Sequence, residues 1–132
     1  MSRRAPVKSP VQTFALLFGM AYLLIGILGF VLAPDSGDKL FGVFQVNLLH
    51  NAIHLVIGAV FLFSSGSHER SKQVSLIIGI VYGVVAALGF ANILVHDLID
   101  ANVPDDFLHM ATAVFSVYFG TVGAEGGRPA MT

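Results

Sequence analysis

Four apolar stretches alternate with short polar segments along the chain, and each comes near the ~20 residues a helix needs to cross the hydrocarbon core of a bilayer. The first, residues 14–33, carries no charge. The second, residues 43–63, holds Gln45, Asn47, His50, Asn51 and His54 in its first half. The third, residues 74–95, has Asn92 as its one strongly polar side chain. The fourth, residues 105–122, reaches spanning length only if Asp105 and Asp106 form its first turn. Pro34, Asp35, Ser36 and Gly37 give the first stretch a stop in turn chemistry. Residues 64–72 read as a polar loop, and residues 97–106 as an acidic loop with Pro104 where a last helix would begin. Short connections between antiparallel spans predict an all-α fold, an integral membrane up-down four-helix bundle over residues 13–123, with tails at 1–12 and 124–132.

Composition agrees with that pattern. Hydrophobic residues make up 55% of the 132 and charged residues only 11%, against about 25% in soluble domains. Mean hydropathy is +0.81. There is no cysteine, which excludes disulfides, thiolate metal sites and a cysteine nucleophile. A net charge of −1 gives no reason to expect a nucleic-acid partner. Arg3, Arg4 and Lys8 before the first stretch resemble a signal peptide's basic region, but the apolar run exceeds the usual ~7–15 residues and Pro34 would follow the cut at Ala33, so a retained helix is predicted. Arg3, Arg4, Lys8, Arg70, Lys72 and Arg128 fall on one side of the layout, and Asp35, Asp38, Asp97, Asp100, Asp105 and Asp106 on the other. The positive-inside rule then places both termini in the cytoplasm.

An internal repeat runs through the chain. Gly19, Tyr22, Leu28, Gly29 and Phe30 recur 60 residues later as Gly79, Tyr82, Leu88, Gly89 and Phe90, with Ala86 answering Gly26. At an offset of 59, Asn47, Leu49 and His50 are answered by Asp106, Leu108 and His109. Two hairpins of like orientation build a bundle by duplication, and parallel repeats of this kind also occur in transporters. Gly19, Gly26, Gly29, Gly58, Gly79, Gly83 and Gly89 supply small surfaces for close helix approach in lipid; the alternative is a smooth wall for a flat cofactor.

The candidate chemistry lies on one face. At about 100° per residue, Asn47, His50, Asn51, His54 and Gly58 share an arc of the second helix. Asp106, His109, Ala113, Ser116 and Gly120 form a similar stripe on the fourth. Lipid exposure of either would be costly, so both are predicted to face inward. Tyr22 and Tyr82 fall level with His54 and are predicted to donate hydrogen bonds to it, while Asn92 and His96 close the third helix. Three readings fit this set. One is a polar network that holds together a non-catalytic membrane module, itself a homo-oligomer or the subunit of a larger membrane complex. Another is a divalent transition metal or haem held by His50, His54 and His109, with Asp106 as a ligand or behind one. The third is a small proton-coupled carrier or channel. Asn51 stands beside His50 where zinc proteases need Glu, so metal-dependent hydrolysis is disfavoured and no catalytic residue is assigned. His68 reads as a solvated loop residue.

The run Asn47-x-x-His50-Asn51-x-x-His54-Leu55-x-x-Gly58, the preceding Tyr22, Gly26 and Gly29-Phe30, and Asp106-x-x-His109 together resemble a bacterial membrane family, domain of unknown function 4383, over residues 13–123. The resemblance implies four helices in a bacterial inner membrane and an Asn/His stripe on the second. It implies no activity, substrate or cofactor. In the repeat at offset 59, Ala113 stands where His54 would recur, so a site here is predicted to be built mainly by the second helix.

Overall fold

A computed structural model describes residues 6–124. Arg3, Arg4 and Arg128, which contribute to the charge asymmetry, and residues 1–5 and 125–132 of the two predicted tails lie outside the described residues. Ser9 opens the first helix, α1 (Pro10–Leu32), with a reciprocal cap: its hydroxyl accepts from the Gln12 backbone N–H, and the Gln12 side chain accepts from the Ser9 N–H at 3.0 Å. The helix ends before Pro34, which disfavours helical backbone at Ala33. A small antiparallel hairpin follows, β1 (Lys39–Leu40) against β2 (Phe44–Gln45), in register Lys39 to Gln45 and Leu40 to Phe44. Phe41 and Gly42 turn it at φ 55° and 72°. Asn47 caps α2 (Leu48–Ser64) by accepting the His50 N–H at 2.9 Å. Ser67 caps α3 (His68–Phe90), a single-turn helix α4 (Val95–Ile99) follows, and Asn102 with Asp105 caps α5 (Val103–Gly120).

These boundaries differ from the predicted spans where side chains intercept the backbone. α2 starts at Leu48 rather than 43, because residues 43–46 belong to the hairpin and Asn47 takes up a free N–H. α3 starts at His68 rather than 74 under the Ser67 cap, so the predicted loop over 64–72 shrinks to 65–67. It stops at Phe90 rather than 95, since Asn92 and Leu94 take φ of 54° and 60°. Asp105 and Asp106 do form the first turn of α5. His68 is no loose loop residue, as its Nδ1 meets Ser9 Oγ at 2.8 Å. Among the described residues α1 and α3 are long and apolar enough to cross a membrane, and α2 is a shorter apolar helix.

α1 lies along α2 and α3 lies along α5, and the two pairs meet where α1 touches α3 and α5 and where α2 touches α3. Backbone contact within each pair depends on glycine: a Cβ on Gly58 would lie 2.6 Å from the Leu23 nitrogen, and one on Gly79 2.8 Å from the Val117 nitrogen. Gly83 does not share this role, because a Cβ there meets only Ala113 at 3.8 Å. Towards the Ser9 end the core is aromatic, with Phe14 stacked on Phe119 at 4.7 Å and edge-on to Phe61. The hairpin and α4 close the other end. Asp100 ties them by accepting from Ser36 Oγ at 2.9 Å, Gln45 Nε2 at 2.7 Å and the Gly37 N–H.

The exposure pattern is inverted relative to a water-soluble globule. Val31, Val56, Phe63 and Ile77 are each at least 60% exposed, while His50, Asn51, His54, Ser75, Asp106, His109 and Ser116 are at most 2% exposed.

Candidate functional site

His50 and His54 project from the same face of α2 one turn apart, and His109 faces them from α5. One ring nitrogen from each can be chosen so that all three lie within 4.8 Å of one another. The ring centroids of His50 and His54 are 4.5 Å apart, and those of His50 and His109 are 5.6 Å apart. Both nitrogens of His54 and Nδ1 of His109 are buried without a hydrogen-bond partner, and the His50 ring, equally buried, approaches only the Ile99 and Gln45 backbone, without a well-formed hydrogen bond. The predicted bonds from Tyr22 and Tyr82 to His54 are therefore not formed. Tyr22 shares a 2.6 Å hydrogen bond with Thr112 Oγ1 instead and presents its ring edge to His54 at 5.3 Å. Tyr82 presents its ring to His109 in the same way at 5.2 Å.

Asp106 is not part of the converging group. Its Oδ2 meets His96 Nε2 at 2.9 Å, and His96 Nδ1 in turn meets Asn92 Oδ1 at 3.1 Å. Asn47 stays at the helix cap, with its amide on the Leu98 carbonyl at 3.3 Å. Asn51 donates to the Ala33 carbonyl at 3.2 Å, and its side chain occupies the space a Cβ on Gly29 would need. Asp106 fills the corresponding space beside Gly89. Gly26 brings α1 against Leu55, whose nitrogen would lie 3.0 Å from a Cβ there.

These contacts align the two hairpins in a register different from the one read in the sequence. Asn47 and Asn102 both cap, Asn51 and Asp106 both fill a glycine notch, and Leu62 and Val117 both press on an α-helical glycine, always 55 residues apart. His54 then corresponds to His109, and His50 to Asp105. His54 thus has a counterpart in contact geometry, and while α2 supplies two of the three clustered histidines, each hairpin contributes one Tyr–His pair, with Tyr22 and Tyr82 edge-on at 5.7 Å between them. Ala113 answers Gly58 rather than His54.

Residues 12–122 match the family described as Domain of unknown function (DUF4383). The chain belongs to the DUF4383 family. No curated protein and no solved structure matches it. Several partners in this DUF4383 protein carry no sequence signal of their own: Thr112 as the partner of Tyr22, His96 as that of Asp106, and Asp100 as the tie between the end caps.

Proposed function

We propose that this DUF4383 protein is an integral membrane protein, four spanning helices built from two duplicated hairpins, that holds a divalent transition-metal ion on His50, His54 and His109. The inverted exposure supports the membrane part: a surface of Val31, Val56, Phe63 and Ile77 suits hydrocarbon as its solvent. α2 and α5, at 17 and 18 residues, fall just inside or at the lower edge of the ~17–25 residues that span.

The observation that carries the metal reading is the set of buried, unpartnered imidazole nitrogens. Each costs about 1–3 kcal/mol when left unmade in a dry interior. One cation accepting a lone pair from each ring removes that cost for three of them at once. An all-nitrogen donor set suits zinc, copper, iron or nickel rather than magnesium or calcium. Zinc at ~2.0–2.1 Å from each nitrogen would set them about 3.3 Å apart, so the rings close inward from the 4.8 Å envelope by small rotations. Three protein ligands leave one position open, the arrangement of reactive rather than purely structural zinc sites. A haem fits poorly: the adjoining cavity of about 200 Å³ is below the ~300–1,000 Å³ that drug-sized ligands occupy, and the rings converge on one point instead of facing each other across a macrocycle.

The polar-network reading keeps a narrower place. Tyr22 to Thr112 and Asn51 to Ala33 join helices or helix ends without using the histidines. The test is the metal content and absorption spectrum of the chain extracted from membranes in detergent and supplied with zinc. About one ion per chain and no Soret band are expected. A chain free of stoichiometric metal, or one that stays monodisperse in plain buffer, contradicts the proposal.

A further inference from the structure

A cavity of about 200 Å³ opens between α2, α3 and α4, and the three histidines line it. His50, His54, Tyr82 and His109 form its buried end, each at most 5% exposed. Its outer edge is formed by Ile53 and Val81, 37% and 50% exposed, with Leu98 of α4 beside them. No charged side chain lines it. An ion reaching the metal through this space would first have to shed its hydration against an apolar lining, whereas an uncharged molecule loses little. An apolar cavity of ~150 Å³ in another protein stays dry and takes up benzene or xenon. A second recess reaches His54 from the hairpin side past Phe41 and Asp105, but at about 40 Å³ it has room for water only.

We infer that the open coordination position of the His50–His54–His109 centre takes a small uncharged molecule, no larger than one six-membered ring, which enters from the hydrocarbon between Ile53 and Val81 rather than from water. This rests on the metal reading above and adds the ligand class and the route. Binding is coordination alone: a lone pair on the ligand occupies the fourth site and no bond is cleaved.

The probes are nitric oxide, small and uncharged, and azide, similar in size and anionic, added to the detergent-solubilised full chain loaded with cobalt(II). Cobalt(II) in a three-nitrogen site gives visible d–d bands and a high-spin EPR signal. Nitric oxide is expected to abolish that signal, and azide in large excess to leave the bands unchanged. In Val85→Trp and Ile57→Trp, which fill the cavity, the bands persist while the nitric oxide response weakens about tenfold or more. Azide coordinating as readily as nitric oxide overturns the inference, as does an unaltered nitric oxide response in both tryptophan variants with bands intact. If no cobalt bands form in the wild-type chain, the metal reading fails and takes this one with it.

Discussion

A buried imidazole without a partner is a liability unless something else binds it, and His54 shows this most clearly. Removing one half of a hydrogen bond strands the other half, but His54 has no other half to strand. His54→Leu therefore leaves the melting temperature of the metal-free protein unchanged or raises it. The same change lowers metal affinity by more than the roughly 10–100-fold that losing an outer-sphere partner costs. A marked loss of metal-free stability would mean that His54 is structural glue after all. Glycines divide just as sharply. A methyl group on Gly29 collides with the Asn51 carboxamide and one on Gly89 with the Asp106 carboxylate. Gly29→Ala and Gly89→Ala should each cost about 1–3 kcal/mol in detergent unfolding. Gly83→Ala, with its nearest contact at 3.8 Å, should stay within about 0.5 kcal/mol. Equal effects at Gly83 and Gly29 would show that the helix faces are assigned wrongly. The i, i+4 spacing of His50 and His54 was legible because helical periodicity alone puts both on one face. The partner of Tyr22 was not, since Thr112 is selected by the rotation of α5 about its axis, which no local pattern encodes.

Among the elements, the two end caps are tied through Asp100. Desolvation pushes its carboxyl up, but the Gly37 N–H, Ser36 hydroxyl and Gln45 amide together outweigh this and hold it below its ordinary value of 3.8. A folded value below the unfolded one means that the tie contributes stability at pH above about 3.8 and loses it as pH falls through the lower folded value. Hydrogen-exchange protection at residues 36–45, taken relative to the intrinsic rate at each pH, should fall over that acid window in the wild type. In Asp100→Asn that protection should be low already at neutral pH. Identical protection in both proteins would remove Asp100 from this role. The sequence marked the breaks at Pro34 and Pro104 because proline limits backbone choice wherever it stands. It gave little sign of the hairpin, whose strands are two residues each and too short for alternation to register. It also placed the start of α3 late, because Arg70 and Lys72 look like loop residues until Ser67 is seen to cap the turn before them.

For the whole molecule, the sequence matches in α1 and α3 at an offset of 60 agree with the glycine contacts, whereas like contacts in α2 and α5 stand 55 residues apart rather than 59. The connection in the second half is five residues shorter by this reckoning, and the extra length in the first half is where β1 and β2 form. A loop-length change leaves no trace in helix periodicity, so isolated matches at Leu49 and His50 set the wrong register. With the corrected one, His54 and His109 meet as equivalents from the two halves, and His50 joins them where the second half has Asp105. The three-histidine cluster thus draws on both hairpins rather than on either alone. X-ray absorption of the zinc-loaded protein tests this most directly. The account predicts a first shell with three imidazole nitrogens at about 2.0–2.1 Å, reduced to two in His109→Ala. A shell with one imidazole or none, or one that His109→Ala leaves unchanged, would contradict it.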